Sequence, residues 1–228
     1  MSGNETGGTV SLEGSPHRQE CFILIDLSGQ SDQAKPLPQF LFPEFSKGFI
    51  KMKDGRTLSA ILDYNMVDEE MVFQQQGGVY MVLDKPEEID TVYIKNRKFV
   101  YVPKAFYEVV VKGPVTIFIQ QKSRYTPVGS ATAYGMTSKT LGPTAVWSAQ
   151  GGNQVRQITP PDNIMVSPAI VYWVKVNGNM NRFTNKNQFI KVFPESANKI
   201  KEFIKSSGID IKTREGLMNL GNFCNSLK

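Results

Sequence analysis

FIKMKDGRTLSAILDYN, residues 49–65, reads as two β-strands and the turn that joins them. Both arms are built from aliphatic, β-branched and aromatic side chains, and Asp54-Gly55 between them accepts the positive φ values of a two-residue hairpin. Alternation places Leu58, Ala60 and Leu62 on one face and Ile61 on the other. The pattern continues through EMVFQ, VYMVL, TVYIK, KFVYV, FYEVVV and VTIFIQ as far as Gln121, with Gly77-Gly78, Asn96-Arg97 and Gly113-Pro114 in the gaps. Short runs of this kind punctuated by turn residues are the signature of a hairpin meander. Ile89, Val92, Ile94, Phe99, Tyr101, Val109, Val111, Ile117 and Ile119 are further core candidates. The predicted fold is mainly β, of α+β class: an antiparallel β-meander sheet, sandwich or small barrel, followed by a C-terminal segment of two or three helices.

Upstream of this stretch, residues 1–20 are polar and lack apolar periodicity, and CFILIDL (Cys21 to Leu27) is a predicted strand. The segment that follows carries Pro36, Pro38 and Pro43, which remove backbone donors. It reads as a linker whose Phe40, Phe42 and Phe45 pack onto a domain starting near Lys47. Residues 1–46 are thus a tail, first strand and linker, 47–184 a β domain, and 185–228 a helical segment.

Downstream, residues 123–168 are poor in aliphatic side chains and rich in Gly, Ser, Thr and Pro, so they read as a long loop and the first place to seek a binding surface. IVYWVKV and NMNRF flank Asn177-Gly178, a second strong turn pair. The hydrophobic period then lengthens to that of a helix. Phe189, Ile190 and Phe193 mark a short helix ended by Pro194; Ile200, Phe203 and Ile204 mark a second closed by Gly208. A third opens after Thr213, a predicted N-cap, and carries Leu217, Leu220, Phe223, Cys224 and Leu227.

The 228 residues are ample for a core, and 40% hydrophobic and 21% charged residues with a mean hydropathy of -0.26 are ordinary globular values. No run approaches the roughly 18 apolar residues of a membrane span, so no transmembrane segment is expected. The N-terminus has neither the basic flank nor the apolar segment of a secretory signal, which fits either a cytoplasmic protein or a mature chain. Net charge is +5, and from Lys175 onward ten Lys and Arg stand against four Asp and Glu. The excess lies in the helical segment, where lysines at helical spacing read first as a solvated surface and secondly as an anion-binding one.

Catalytic chemistry is sparse. His17, the single histidine, sits in the polar tail, remote from the rigid frame that a nucleophilic triad needs. Cys21 and Cys224 stand near the two ends, spaced for no metal, either as free thiols or, in an oxidising compartment, as a bridge. Carboxylates cluster at Asp68-Glu69-Glu70 and at Glu87, Glu88 and Asp90, where two positioned acids would be the minimum for glycoside cleavage. Both clusters fall in predicted turns, and no Ca2+ loop accompanies them. The glycines follow no phosphate-cradling pattern, so no cofactor, no metal and no catalytic residue is assigned.

Aromatic side chains are the remaining handle. Trp147, Tyr125 and Tyr134 in the long loop, and Trp173 in the strand after it, are the candidate binding residues, because flat amphipathic rings bind sugar or peptide at low entropic cost. A sheet that binds RNA needs paired aromatics with basic neighbours; KFVYV at 98–102 lacks the flanking glycines of that motif, and no nucleic acid is expected.

Two stretches carry a resemblance. KDGRTLSAILDYNMVDEEMVFQ, continued by IDTVYIKNRKFVYVPKAFYEVV, is similar to β-rich proteins of Bacteroidetes-type bacteria in which the Asp-Gly turn, the Tyr-Asn segment and the Arg-x-Phe strand recur. FIKVFPESANKIKEFIKSSGIDIKTREGLMNLGNFCNSL resembles their helical C-terminal end. The resemblance implies a periplasmic or cell-envelope location and brings no functional residue with it. The function expected is that of a non-catalytic, envelope-associated β scaffold that binds or organises a glycan or another protein. A carboxylate-dependent glycan hydrolase and a nucleic-acid binder using the basic helices are the alternatives.

Overall fold

The computed structural model describes residues 37–127, 130–131, 137–138 and 164–227. Eight strands follow one another through the predicted meander: β1 (Ser46–Met52), β2 (Thr57–Asn65), β3 (Glu70–Gln74), β4 (Tyr80–Val82), β5 (Ile89–Ile94), β6 (Arg97–Val102), β7 (Ala105–Val111) and β8 (Val115–Gln120). Then come β9 (Ser123–Pro127), β10 (Ser130–Ala131), β11 (Thr137–Ser138), β12 (Ile164–Pro168), β13 (Val171–Val176) and β14 (Asn179–Phe183). Helices α1 (Lys186–Lys191), α2 (Ala197–Ser206) and α3 (Arg214–Ser226) finish the chain.

Ten strands make one antiparallel sheet in the order β14-β13-β8-β7-β6-β5-β1-β2-β3-β4. The first four run outward as a meander; the chain then returns and lays β5 on the open side of β1. The order is therefore a Greek-key departure from the simple meander read in the sequence. Among the architectures left open, an open curled sheet is the one observed, and it is not closed into a barrel. Its curvature is visible in one contact: the rings of Tyr64 on β2 and Phe99 on β6 stack at 5.9 Å although β1 and β5 lie between those strands. Three spacings in a flat sheet would be about 14 Å.

Turn chemistry sets the register. Met52 N–H donates to Arg56 O across the first hairpin, leaving three residues, Lys53 to Gly55, in its loop. The two-residue loop expected from Asp-Gly is not formed: Gly55 alone takes a positive φ, while the Asp54 carboxylate accepts from Arg56 N–H at 3.0 Å. Asn177 and Gly178 do both take positive φ and form the two-residue loop read in the sequence, with Val176 opposite Asn179. Lys95-Asn96, one residue before the predicted Asn96-Arg97, and Pro103-Lys104 are also two-residue loops, with a positive φ at Lys95 and at Lys104.

Two cores lie on the concave face. One fills the curl of β1 to β7 with Ile50, Leu62, Tyr64, Met71, Val92, Ile94, Phe99 and Phe106. Phe40 and Phe42 are buried and Phe45 packs between Phe40 and Tyr80, as the linker reading requires. The other core joins β7, β8, β13 and β14 to the helices through Ile117, Val174, Phe183, Phe189, Ile200, Leu217 and Leu220. Each such side chain, fully buried, contributes about 1.5–3 kcal/mol.

The helices appear where their caps and stripes place them. Asn185 and Thr213 accept from Gln188 N–H and Gly216 N–H and cap α1 and α3. Gly221 lets α3 lie close on the sheet, since a Cβ there would stand 2.9 Å from Val111. Asn225 completes the docking by exchanging two hydrogen bonds with the backbone of Val115, 2.7 Å from its N–H and 3.0 Å to its O. Helix and sheet thus share one core, with the helices covering the concave side.

The predicted strand at Cys21 to Leu27 lies outside the described residues. The predicted loop of 123–168 differs at its ends, where β9 pairs with β12 in a two-stranded arm, Tyr125 opposite Val166. Val109, a core candidate, sits on the convex face in regular alternation with Ala105 and Tyr107, and a bulge between Val109 and Val111 returns only Val111 to the concave core.

Candidate binding face

The convex face is where the register does something that no single strand does. Ser59, Phe49, Tyr93, Lys98, Val109, Phe118, Trp173 and Arg182 are successive cross-strand partners from β2 to β14. Directly opposed side chains on such a row stand about 5 Å apart. Eight strands therefore contribute one line of four aromatic and two cationic side chains.

The two halves of the line differ. Phe118 and Tyr107 are buried beneath Trp173, Val109 and Met180, and the Tyr107 and Trp173 rings stack at 6.0 Å. Trp173 is further fixed by its indole N–H, which donates to Gln120 Oε1 at 3.1 Å. At the other end Phe49 and Tyr93 are 48% and 39% exposed, two of the large hydrophobic side chains the protein leaves in water. No ring contact joins them to each other among the described residues, so each presents its own surface.

Cations surround that open pair. Lys47 and Lys51, two residues either side of Phe49 on the same face of β1, are exposed, and Lys98 Nζ lies 5.8 Å from the centre of the Tyr93 ring. None of the three has an ion-pair partner among the described residues. Asp90, exposed at the start of β5, accepts from the Thr91 hydroxyl at 3.0 Å and is the acid that borders the patch.

A second polar group forms at the tip of the β2–β3 hairpin. Glu69 accepts from Gln120 Nε2 and from Lys122 Nζ, which links the tip to Trp173 through Gln120. Ser123 N–H donates to Met66 O at 2.8 Å and ties the tip to the end of β8. Asn65 holds Asp68 at 2.7 Å and caps the turn by accepting from Val67 and Asp68 N–H. Burial pushes the Asp68 carboxyl up, and burial together with the Asp68 charge pushes Glu70 up although that residue as a whole is exposed. Burial, then the Asp68 charge, raises the Tyr125 phenol to about 12.

Of the residues singled out in the sequence, Trp173 stands in the cross-strand line, and Tyr125 on β9 borders the hairpin tip. Trp147 and Tyr134 lie outside the described residues. The two carboxylate clusters are not brought together: Ile89, beside Glu87, Glu88 and Asp90, pairs with Met52 at one end of β1, while Asn65, beside Asp68 to Glu70, lies past the other end, where Ser46 faces Leu62. Among the described residues no group of three His, Cys, Asp or Glu is placed to hold a metal, and no helix is long and apolar enough to cross a membrane.

No protein-family model, curated protein or solved structure matches the chain. An envelope location accordingly rests on the two resembling stretches alone. The face has to be read from its own geometry, and Phe49 and Tyr93, which sequence reasoning passed over, are its centre. Their only local signal was an aromatic residue on the polar side of an alternating strand, FIKMK and TVYIK.

Proposed function

We propose that the protein is a non-catalytic binding protein that holds another macromolecule on the convex face of its sheet. The observation that carries this reading is the open pair Phe49 and Tyr93, directly opposed on β1 and β5 and flanked by three lysines without ion-pair partners among the described residues. An exposed ring forfeits the stabilisation of burial, and two side by side on a rigid sheet form a surface that a ligand can dehydrate. Glu69, by contrast, is engaged by Gln120 and Lys122, and Asp68 by Asn65, so these acids serve the hairpin.

The test is a binding panel of glycans, single-stranded and duplex nucleic acids and envelope extract, read with wild type and with Phe49→Ala/Tyr93→Ala. Because both side chains are exposed, the double variant is expected to fold and to lose the captured partner. Capture that is indifferent to both rings, or turnover of a small substrate that a carboxylate substitution abolishes, would overturn the reading.

A further inference from the structure

Resting on that reading, we infer that the occupant of the β1–β5–β6 face is single-stranded nucleic acid, with bases stacked on Phe49 and Tyr93 and phosphates held by Lys47, Lys51 and Lys98. The face joins two chemistries that an unpaired strand also joins. Planar rings stack on aromatic side chains whatever the base, and a backbone of one negative charge per nucleotide passes beside cations. Antiparallel pairing supplies the spacing: Phe49 and Tyr93 are cross-strand partners, and Lys98 is the partner of Tyr93 on the next strand. The requirement stated for an RNA-binding sheet, paired aromatics with basic neighbours, is therefore met by three strands together and by no contiguous motif.

The chemistry of the surroundings separates this occupant from others. A neutral glycan is held by planar amide, carboxylate or guanidinium groups that grip neighbouring hydroxyls. The nearest charged neighbours of the two rings are instead three ammonium groups, with Asp90 only at the border of the patch, and the hydroxyls in the line are those of Ser59 and of Tyr93 itself. Phe49, the more exposed ring, also has no polar atom to offer a sugar. Duplex nucleic acid hides its base faces and is entered by a helix or ribbon that reaches into a groove, whereas this surface is a broad sheet.

Fluorescence anisotropy with a labelled oligothymidine or oligouridine of about 12 nucleotides, and with a duplex of the same length, tests the inference. The single strand is expected to bind more tightly than the duplex. Phe49→Ala/Tyr93→Ala, which removes two stacking platforms, should weaken it about 30-fold or more with an unchanged melting temperature. Lys47→Gln/Lys51→Gln should reduce the slope of log affinity against log salt by roughly 1.4. Replacing Lys199, Lys201 and Lys205 on α2 by Gln should leave ring-dependent affinity in place. Equal affinity for duplex and single strand, affinity that survives loss of both rings, or affinity abolished by the α2 substitutions would overturn the inference. Absence of nucleic-acid binding, with ring-dependent capture of a glycan or protein, would overturn the inference and leave the binding function standing; no ring-dependent capture at all would overturn both.

Discussion

Arg214, the first residue of the last helix, places its Nε 2.9 Å from Oε1 of Glu108, a side chain with no exposure in the seventh strand and 106 positions earlier. Arg97 on the neighbouring strand grips the same carboxylate with Nε at 2.9 Å and a second hydrogen bond from its Nη2, and Gln121 donates from 2.8 Å. Glu108 lies on the concave face opposite Phe99 and Ile119, where the core of the curl meets the core under the helices. Burial alone would raise its pKa; Arg97, Gln121 and Arg214 outweigh burial and hold it below the usual range.

Glu108→Ala leaves Arg97 facing a core without its partner and is expected to cost about 3–5 kcal/mol. Arg214→Ala removes a partner that is 39% exposed, leaves Arg97 and Gln121 in place, and is expected to cost about 1 kcal/mol or less. Urea unfolding of the two variants checks the order. Equal losses would mean that the helix contact, and not the buried charge, dominates.

Asp63 makes stability depend on pH between its ordinary carboxylate value and neutrality. Its Oδ1 accepts from Tyr64 N–H at 2.6 Å and Phe42 N–H at 3.2 Å, its Oδ2 has no partner among the described residues, and burial raises its pKa from 3.8 to about 7 against the pull of those amides and of Lys95. Between these two values the folded state keeps a proton that the unfolded chain has released, so stability falls as pH rises through the window and the loss is complete above about 7. Glu108 acts in the opposite sense: its contribution is present above the ordinary carboxylate value and is lost as pH falls through its depressed pKa. Urea midpoints for wild type are expected to be higher at about pH 5 than at about pH 8, and Asp63→Asn should flatten that difference. A wild-type midpoint that rises toward pH 8 would contradict the assignment.

Tyr64 stacks on Phe99, is fully buried, and its hydroxyl finds no partner among the described residues. An unsatisfied buried hydroxyl keeps its desolvation cost without the return of a bond. Tyr64→Phe preserves the ring and is expected to stabilise the protein by about 1 kcal/mol, measured by thermal or urea unfolding. A destabilisation of that size would show that the hydroxyl is hydrogen-bonded in solution.

Cys224 is a buried free thiol on the sheet-facing side of α3, and burial pushes its pKa up to about 12. Cys21 lies outside the described residues. Alkylation followed by peptide mass spectrometry is expected to leave Cys224 unmodified in native protein and to modify it fully in denaturant without reductant. Failure to label in denaturant until reductant is added would identify a disulfide.

Local chemistry determined a great deal. Every predicted strand between Phe49 and Gln121 is found within a few residues, as are both strands around Asn177-Gly178 and the three helices with the Thr213 cap, because alternation, turn residues and caps act over a few positions. FYEVVV and AILDY also carried an unread signal: a lone acid inside an apolar strand must find partners or shift its pKa, as Glu108 and Asp63 do.

The proposed binding face was beyond reach of that grammar. Phe49 and Tyr93 each belong to an unremarkable alternating strand, and only the return of the chain across the sheet makes β1 and β5 neighbours. The same return curls Tyr64 onto Phe99 and leads the chain on to Glu108, where Arg214 arrives from the last helix. Sequence fixes what each strand puts on its two faces, since the period of a strand is local; which strands lie side by side is settled by how distant apolar faces bury one another, and that long-range choice brought the rings and lysines into one line.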